Sequence, residues 1–459
     1  LAQLHDPYSV MLRGDDFREL NTAASGNYGG IGTQIDVRDG WITVVAPLPD
    51  TPAERAGIRA GDRIIALNDT STRDWSPDKG LNALRGDPGT PVRLTVQRAG
   101  MASNLTFSLR RAEIHVRSVQ FAMSVAPGVG YVQLTVVSDS STQELEQAID
   151  RLKAEGAHGV ILDLRNNPGG LLNEGIGISE LFLDKGQVIV DTRGRGPEGN
   201  EKYSASSGQR WAGLPVVVLV DEGTASAAEI IAGALQDHDR AVLVGNRTFG
   251  KGLVQSLFPL GPDQALKLTT SRWFTPNGRS IQRVHDDDRG VSVAPKAGTA
   301  TDTVRRFRTD QGRLMAGGGG IQPDVVVPGA AFTSSDSAFL RLLGPSLPAY
   351  RDVLTAYALD LKARGGVASP AFTVTPAMLE EIRQRLAARH VMVPEALWHA
   401  ATARVSQQAG AEIARYVFSR QDEFRRSIPD DLQLQRAMAL LAKARTPAEL
   451  ISAARDTTR

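Results

Sequence analysis

Short apolar runs alternate with turn residues between Gly29 and about Arg111. The runs WITVVA, DRIIALN and PVRLTVQR have the length and composition of strands, and AERAG between the first two is helix-like. Strands of this kind, separated by Gly, Pro and Asp, are typical of small β structures. We therefore predict a mostly β module with one or two short helices over residues 29–112, preceded by a segment of residues 1–28.

From about Val129 to Val327 the pattern changes to apolar strands separated by amphipathic helices. The strand-like segments are GYVQLTVV, GVILDLR, VIVDTRG, PVVVLVD, AVLVG and ALKLTTSRWFT, and SSTQELEQAIDRLKAEG is a clear helix. Continuous apolar strands between helices favour a largely parallel sheet covered on both faces. Residues 113–330 are accordingly predicted to form an α/β domain, with ligand-binding loops beyond the carboxyl ends of its strands.

Two further regions depart from this pattern. Residues 283–320 are rich in charged and small residues and contain the run Gly317–Gly320, which predicts an inserted mobile loop, with a disordered linker as the alternative. Residues 331–459 are polar and helical. Their apolar positions recur at spacings of three and four, which predicts core or subunit contacts in a helical appendage; they are Met378, Ile382, Leu386, Trp398, Ala401 and Val405.

Composition narrows the function classes. A chain of 459 residues exceeds one hydrophobic core, so two to four domains are expected. The 52 basic and 51 acidic side chains leave a net charge of +1, which does not suggest a nucleic-acid partner. The absence of cysteine excludes disulfides and thiolate chemistry. No apolar run is long enough to span a bilayer, and no HExxH or Walker-type loop occurs, so neither a metal nor a nucleotide cofactor is expected.

The chain begins with Leu1 and shows no secretion leader, which we interpret as a signal segment that was removed or left out.

Candidate chemistry centres on Ser226 and on Lys251, 25 positions later. Ser226 follows the apolar run Pro215–Val220 and precedes an alanine-rich helix, where unpaired backbone N–H groups can stabilise an oxyanion. Lys251 stands among apolar residues that can desolvate it, and a neutral lysine can accept the serine proton. Taken singly, each residue has a simpler explanation, since Ser commonly caps helices and Lys is commonly solvated.

The β module resembles a PDZ domain over nearly its whole length. The resemblance rests on GGIG, on PDTPAERAGIRAGDRIIALND and on ALRGDPGTPVRLTVQR. It implies that backbone N–H groups of the loop Gly29, Gly30, Ile31 and Gly32 bind a peptide carboxylate, while the peptide adds a strand beside the module. A plain tight turn is the alternative for these four residues.

Residues 1–330 as a whole resemble the carboxyl-terminal processing, or tail-specific, proteases. Four motifs occur in that family's order, namely GVILDLRNNPGGLL, VDEGTASAAEIIAGALQDHDRAVLVGNRTFGKGLVQ, SRWFTPNGRSIQ and IQPDVVV. LHDPYSVML at the start resembles the family's segment just before the PDZ domain, which fits missing upstream sequence. The resemblance implies an α/β multidomain fold with a crotonase/ClpP-like serine protease domain.

By position, the resemblance makes Ser226 the nucleophile and Lys251 its general base. Gln255 would hold the lysine amine, because residues 251, 253 and 255 of a strand point the same way. The oxyanion hole would comprise the N–H of Ala227 and an N–H from the turn containing Gly169 and Gly170.

The resemblance also has implications beyond the site. It implies protein substrates with free apolar C-termini, a periplasmic or cell-envelope location, and assembly with a second copy or an adaptor through the C-terminal helices. Asp237 matches a family aspartate, for which we expect a supporting role. Arg85 could contact the protease body in a gating switch, although an ordinary surface arginine explains it as well.

Three alternatives remain to be separated. His238 as the base is disfavoured, because Asp237 beside it already lies about 16 Å along the helix from Ser226 at ~1.5 Å per residue. A peptide-binding scaffold would leave the α/β domain catalytically idle. Hydratase chemistry on an acyl-CoA thioester would need a carboxylate acid or base.

Overall fold

The computed structural model of the chain describes residues 1, 4, 6–196, 199–283, 306–329 and 332–456. These residues form two compact units. The first comprises Leu1–Gly26, Val116–Gly329 and Asp431–Arg459, and the second comprises Asn27–His115 and Ala330–Asp430.

Up to residue 115 the chain is mostly β. Its elements are β1 (Val10–Arg13), α1 (Asp15–Ser25), β2 (Asn27–Gly30), β3 (Thr33–Arg38), β4 (Trp41–Pro47), α2 (Pro52–Arg55), β5 (Arg63–Leu67), β6 (Thr70–Ser71), α3 (Pro77–Leu84), β7 (Pro91–Gln97), β8 (Leu105–Arg110) and β9 (Ala112–His115).

The middle of the chain alternates strands and helices. Its elements are β10 (Val119–Ala126), β11 (Val129–Leu134), α4 (Ser141–Ala154), β12 (Gly159–Asp163), α5 (Leu172–Glu180), β13 (Val188–Gly194), β14 (Glu201–Ser204), β15 (Val216–Val220), α6 (Ala227–Asp237), β16 (Val242–Gly245), β17 (Leu253–Gly261), β18 (Gln264–Phe274), β19 (Arg306–Arg308), β20 (Leu314–Ala316) and β21 (Val325–Val326).

The remainder is helical. The helices are α7 (Ser334–Leu343), α8 (Leu347–Ala363), α9 (Pro376–Ala388), α10 (Glu395–Ile413), α11 (Arg420–Ser427), α12 (Leu432–Leu441) and α13 (Pro447–Arg455), with a π-helical turn at Ala414–Phe418 and short 3₁₀ turns at Gly344–Ser346 and Ile428–Asp430. In the part of the chain that is described, no helix combines the length and the apolarity needed to cross a bilayer.

The first unit is built on a six-stranded sheet in the order β10-β11-β12-β15-β16-β21. Its neighbours pair in parallel, except for the antiparallel β10–β11 pair at one edge. Every residue of β12 and β15 is buried, so both faces of the sheet are covered. Helices α4, α5 and α6 contribute to the main core, and α12 contacts β12, β15 and β16. This confirms the predicted α/β domain with a largely parallel sheet.

Two of the predicted strands lie elsewhere, which corrects the prediction of a single sheet. The segments VIVDTRG and ALKLTTSRWFT form β13 and β18 of a second, antiparallel sheet with β1, β14 and β17. Both strands carry partly exposed positions among the buried ones. An antiparallel sheet with one solvated face accounts for that pattern, whereas a strand inside a doubly covered sheet would be buried throughout.

The second unit contains an antiparallel sheet in the order β3-β4-β5-β7-β8, with β6 against β5 and a separate β2–β9 ribbon. Helices α7 to α11 form a second core in the same unit, and Ala60 of the β module packs against that core. Ile382, Leu386, Trp398, Ala401 and Val405 are buried there, and Met378 is partly buried, so the prediction that these positions are core contacts is confirmed.

The unit boundaries cut across the predicted helical appendage of residues 331–459. Residues up to Asp430 belong with the β module, whereas α12 and α13 belong with the catalytic-type sheet. Of the predicted loop 283–320, residues 284–305 lie outside the described residues. Its later part departs from an irregular loop, because β19 and β20 pair as a hairpin before the bend at Gly318–Gly320.

Candidate active site

Ser226 occupies the tight corner between β15 and α6, which is where the apolar run before it and the alanine-rich helix after it place it. Its backbone has φ 54° and ψ −119°, a combination that costs a non-glycine residue about 1–3 kcal/mol. Serine nucleophiles on sharp strand-to-helix turns have such strained backbones, which expose the hydroxyl. Ser226 is also the N-cap residue of α6, and Glu229 three residues later accepts a hydrogen bond from its backbone N–H, as in a capping box.

The carboxyl of Glu229 links the serine corner to the lysine loop. It accepts hydrogen bonds from the backbone N–H groups of Ser226 (2.9 Å), Gly250 (2.7 Å) and Lys251 (2.9 Å), and from the hydroxyl of Thr248. Glu229 is fully buried, and burial raises its pKa while those four hydrogen bonds oppose the rise. Glu229 thus holds the backbone of Ser226 close to that of Lys251. The sequence motifs did not identify this role, although an acidic residue three positions after Ser226 is a capping-box signal.

The turn at Asn167–Gly170 lies directly against the serine corner. A Cβ atom on Gly169 (φ 88°) would stand 2.6 Å from Ala225 O and 2.7 Å from Ala227 N. Gly170 (φ 151°) is equally confined, because a Cβ there would lie 1.9 Å from Val137 O. Glycine at both positions is therefore required by close approach of backbone to backbone.

Hydrogen bonding within this turn leaves two N–H groups for an oxyanion. The N–H of Gly169 donates to the side chain of Asn167 at 2.8 Å, so it is already engaged. The N–H groups of Gly170 and Ala227 have no acceptor among the described residues. Of the three predicted oxyanion donors, Gly170 and Ala227 therefore have an N–H group that is free to bind an oxyanion. Gly169 instead allows the turn to lie close to the backbone of Ala225 and Ala227.

Lys251 lies just before β17, and its ammonium is enclosed by protein. Its Nζ donates to Gln255 Oε1 at 3.2 Å and lies 5.2 Å from the centre of the Tyr8 ring. Burial lowers the pKa of Lys251 and the neighbouring charge of Lys267 lowers it further, while Glu229 and Asp6 oppose both effects. A depressed pKa is the property that a lysine base requires.

Gln255 contacts Lys251 as predicted, but not because the two residues share a strand face. Lys251 precedes the strand, and the β17–β18 register shifts between Val254 and Gln255, so the two residues do not share one regular strand face. The other end of the Gln255 amide donates to Tyr8 O at 3.1 Å. The N-terminal segment around Tyr8 is thereby part of the site, which sequence reasoning missed because contacts over such separations leave no local signal.

One cavity of about 410 Å³ joins these groups. Ser226, Ala227, Gly169, Gly170, Lys251, Gln255 and Lys267 line it together with the apolar side chains Leu20, Ala23, Ala24, Val136, Pro168, Leu171, Leu172, Ile230, Leu253, Val254, Leu257 and Trp273. Within the described residues no hydrogen bond joins Lys251 to Ser226. Ser226 and Lys251 therefore face one cavity without a direct hydrogen bond between them. Catalytic hydrogen bonds are often long or absent before substrate is bound.

Asp237 and His238 lie at the far end of α6. Asp237 pairs with Arg279 and accepts from Asn277 N–H, and both of the paired side chains are buried. His238 contacts Val188 O and Asp310, each at 2.7 Å. Among the described residues, no group of three or more His, Asp or Glu side chains is arranged to hold a metal ion.

The predicted carboxylate-binding loop, residues 29–32, is part strand and part turn in the structure. Gly29 and Gly30 belong to β2, which pairs with β9, whereas Ile31 and Gly32 form the turn into β3. Ile31 is buried in the core of the module, and Gly32 has φ 80°. In the described residues β3 pairs with β4 on one side and has its other edge free, and Ile35 of β3 lies close to Gly80 of α3.

Comparison with known proteins gives a family match for the α/β domain and for the β module. Residues 128–293 match the sequence model of peptidase family S41, and residues 43–98 match that of the PDZ domain. A carboxyl-terminal-processing protease of Picosynechococcus sp. is 40% identical over 288 residues, which cover 62% of this chain and 69% of that protein.

A carboxy-terminal-processing protease of Bartonella bacilliformis is 37% identical over 294 residues, covering 63% of this chain and 65% of that protein. The chain thus spans just under two thirds of that relative. The solved photosystem II D1 C-terminal processing protease is 28% identical and covers 71% of this chain and 79% of its own, at a TM-score of 0.39. The match to the Picosynechococcus protease over more than two thirds of its length, together with the match to the S41 sequence model, shows that the chain belongs to peptidase family S41, and the PDZ match at residues 43–98 precedes the S41 match in the chain.

Proposed function

We propose that this chain is a serine endopeptidase that captures protein C-terminal tails through its PDZ domain and cleaves them at Ser226. The observation that carries the proposal is the single cavity in which Ser226, Lys251 and the N–H groups of Gly170 and Ala227 converge. A nucleophile, a base of lowered pKa and two oxyanion donors are the groups that acyl transfer requires.

The reaction proceeds through an acyl-enzyme. Lys251 in its neutral form takes the hydroxyl proton as Ser226 Oγ attacks the scissile carbonyl carbon, and the carbonyl oxygen becomes an oxyanion held by the two N–H groups. Lys251 then gives that proton to the leaving amine as the C–N bond breaks. In the second half Lys251 takes a proton from water as the water oxygen attacks the ester carbon. The bond from that carbon to Ser226 Oγ then breaks, the carboxyl product leaves, and Lys251 returns the proton to Ser226 Oγ.

Gln255 and Tyr8 position the base in this scheme. The amide of Gln255 spans from Lys251 Nζ to Tyr8 O, so it restrains the amine on the side of the N-terminal segment. The Tyr8 ring stabilises the ammonium that forms during each half-reaction. A move of Nζ from Gln255 toward Ser226 on substrate binding would complete the dyad.

The apolar lining of the cavity indicates what lies next to the scissile bond. Leu171, Leu172, Ile230, Leu257 and Trp273 offer a surface that desolvates an apolar substrate side chain, and Lys267 is the charged residue at its edge besides Lys251. We expect substrates with apolar or small residues at the cleavage point.

Tail recognition is proposed from the second unit. In the described residues β3 is an edge strand, so a peptide can pair with it as an additional strand, with α3 beside it. The backbone N–H groups of the turn Ile31–Gly32 at the start of β3 can then bind the peptide's terminal carboxylate. Placement in the bacterial periplasm or cell envelope, and assembly with a second copy or an adaptor through the C-terminal helices, are proposed from the family alone.

Hydratase chemistry on a thioester is disfavoured by the lining of the site. That chemistry needs a carboxylate facing the cavity, and no described residue that lines it is acidic. Glu229 is close in sequence, but its carboxyl is buried and already accepts four hydrogen bonds.

Cleavage of an unstructured protein with an apolar C-terminus tests the proposal. Wild type should degrade it, and Ser226→Ala and Lys251→Ala should each lose activity about 10³-fold or more while keeping the circular dichroism and melting behaviour of wild type. Binding of the tail to Ser226→Ala without cleavage by wild type would favour the scaffold function. Retention of most activity by Lys251→Ala would remove the dyad.

A further inference from the structure

A second cavity of about 540 Å³ lies beside the catalytic cavity in the same unit. Leu253 lines both cavities, and Tyr8, whose ring contacts the Lys251 ammonium, lines the second. Its walls come from the N-terminal segment and from β13 and β18, the antiparallel sheet on which Lys267 also lies. A chain seated across Ser226 could thus continue along this cleft without leaving the unit.

Three arginines line the cleft, namely Arg193, Arg195 and Arg272. Arg193 and Arg272 face each other directly in the β13–β18 register. Like charges directly opposite on neighbouring strands destabilise a sheet, so an anion bound between them would provide compensation.

Asp191 supplies that compensation only in part. Its Oδ2 accepts hydrogen bonds from Nε and Nη2 of Arg193 at 3.0 and 2.6 Å, and the Arg193 guanidinium lies 4.2 Å from the centre of the Phe274 ring. Arg195 and Arg272 are exposed, and within the described residues neither has an acidic partner. Two guanidinium groups are therefore available at the cleft.

Asp6, the acidic residue that lines the cleft, does not meet this need. Its carboxyl is held by the hydroxyl of Ser9 and by Tyr8 N–H at the end of the cleft next to Lys251. No ion pair connects it to the arginines in the described part of the chain. The cleft therefore holds one carboxylate that is already hydrogen-bonded and two guanidinium groups that have no acidic partner among the described residues.

We propose that this cleft is a subsite of the peptidase that binds a carboxylate of the peptide substrate, with Arg272 and Arg195 as its ligands. Arginine binds carboxylates with two parallel hydrogen bonds, which gives geometric selection as well as attraction. The carboxylate can come from an Asp or Glu side chain near the scissile bond or from the C-terminus of a short tail. The inference rests on the proposed peptidase function and adds a charge preference to it.

The test compares peptides that differ in one carboxylate. A neutral reference peptide with an apolar cleavage point is made in versions with Asp at each of the positions flanking the scissile bond, and in a version with an amidated C-terminus. The readout is the ratio of kcat/KM for each acidic peptide to kcat/KM for the neutral one. Wild type should prefer Asp at one position, or the free C-terminus, by about two- to fivefold at low salt, as expected for a partly exposed ion pair.

Variants connect that preference to the arginines. Arg272→Ala should remove most of the preference, and Arg272→Glu, which can pair with Arg193, should transfer it to a peptide with Lys at the same position. Arg151→Ala is the matched control, since it also removes one exposed positive charge but lies on α4 away from both cavities. The preference should decline as salt rises toward 0.5 M, because exposed charges are screened.

The outcomes separate the two proposals. An Asp preference that depends on Arg272 identifies a side chain as the ligand, and a loss on amidation that depends on Arg272 identifies the terminal carboxylate. Equal ratios for wild type, Arg272→Ala and Arg151→Ala, with the neutral peptide still cleaved, would overturn the subsite and leave the peptidase intact. Failure of wild type to cleave any of the peptides would contradict the peptidase itself.

Discussion

Lys251 lies between charges of opposite sign, and these set the pH range in which it can act as a base. Burial and Lys267 lower the pKa of Lys251, whereas Glu229 and Asp6 raise it. In the proposed mechanism Lys251 acts as the base only when it is neutral, so we expect activity to be lost as pH falls through the pKa of Lys251. Each neighbouring charge therefore moves the acid limb of the pH profile in a direction that its sign determines.

We predict opposite shifts for two single substitutions. Lys267→Gln removes a positive neighbour, raises the pKa of Lys251 and moves the acid limb of kcat/KM to higher pH. Asp6→Asn removes a negative neighbour, lowers that pKa and moves the limb to lower pH. Profiles of kcat/KM against pH measure both, with Lys153→Gln on α4 as the control that should leave the limb in place. Limbs that move in the same direction would contradict this electrostatic account.

The oxyanion turn permits a second test at the residue scale. Gly169→Ala should lower kcat about 10²-fold or more, because the new methyl group would displace Ala227 N–H from the oxyanion. Gly213→Ala is a control with a similar backbone, since Gly213 has φ 80° but nothing within 4 Å of its Cβ position. Comparing kcat of the two variants separates the effect of crowding Ala227 from the effect of strain at a positive φ. Equal losses in kcat would contradict the assignment of Ala227 N–H as an oxyanion donor.

At the scale of elements, α12 closes the catalytic sheet and is fastened to it by Arg165. The guanidinium of Arg165 binds Asp163 at the end of β12, and on its other side it binds Asp431 and Gln433 at the start of α12. Tyr131 from the neighbouring strand β11 also donates to Asp163 at 2.7 Å. The motif that contains the oxyanion turn thus also anchors a helix from the end of the chain.

We predict that Asp431→Ala destabilises the first unit by about 2–3 kcal/mol, from the loss of charged hydrogen bonds and of the helix cap. Asp431 caps α12 by accepting from Leu434 N–H at 3.0 Å. Asp431→Asn retains a good capping residue and removes only the charge, so it should cost less. Denaturant unfolding of both variants separates the two contributions, since the cost of Asp431→Asn measures the ion pair with Arg165 and the additional cost of Asp431→Ala measures the cap. A negligible cost of Asp431→Asn would show that the ion pair contributes nothing.

At the scale of the whole molecule, the PDZ domain shares a unit with helices α7 to α11. Arg389 of the turn after α9 binds both carboxylate oxygens of Asp39, at 2.6 and 2.9 Å, and Asp352 of α8 accepts from Asp39 N–H. Leu359 of α8 also packs closely against Gly61, since a Cβ atom on Gly61 would stand 2.1 Å from the Leu359 side chain. Residues from before and after the catalytic domain in the chain therefore form one compact unit.

Arg389→Ala should loosen that contact without unfolding the unit. The pair is about a third exposed, so we expect a cost of about 1 kcal/mol and faster amide hydrogen exchange at Asp39 and its neighbours. Arg341→Ala on α7, an exposed arginine, is the control. Unchanged exchange at Asp39 in Arg389→Ala would show that the β module and the helices are held together by other contacts.

Local patterns were sufficient for much of the architecture. Apolar runs located β12, β15 and β16, and helical spacings located α4, α9 and α10, because burial imposes periods of two or 3.6 residues on each segment separately. The same patterns misassigned β13 and β18 to the parallel sheet, since a local period does not specify the partner strand. They also missed the β19–β20 hairpin inside a region whose composition resembles a loop.

The sequence by itself determined the family, the two folds and the candidates Ser226, Lys251 and Gln255, because those depend on residues close together in the chain. Only the tertiary structure decided that Tyr8 and Asp6 border the base, that Glu229 ties the serine corner to the lysine loop, and that the chain's last helices close the catalytic sheet. Arg193 and Arg272 likewise become neighbours only through strand register. Each of these is a contact between distant segments, and the geometry of such contacts is set by packing of the whole unit.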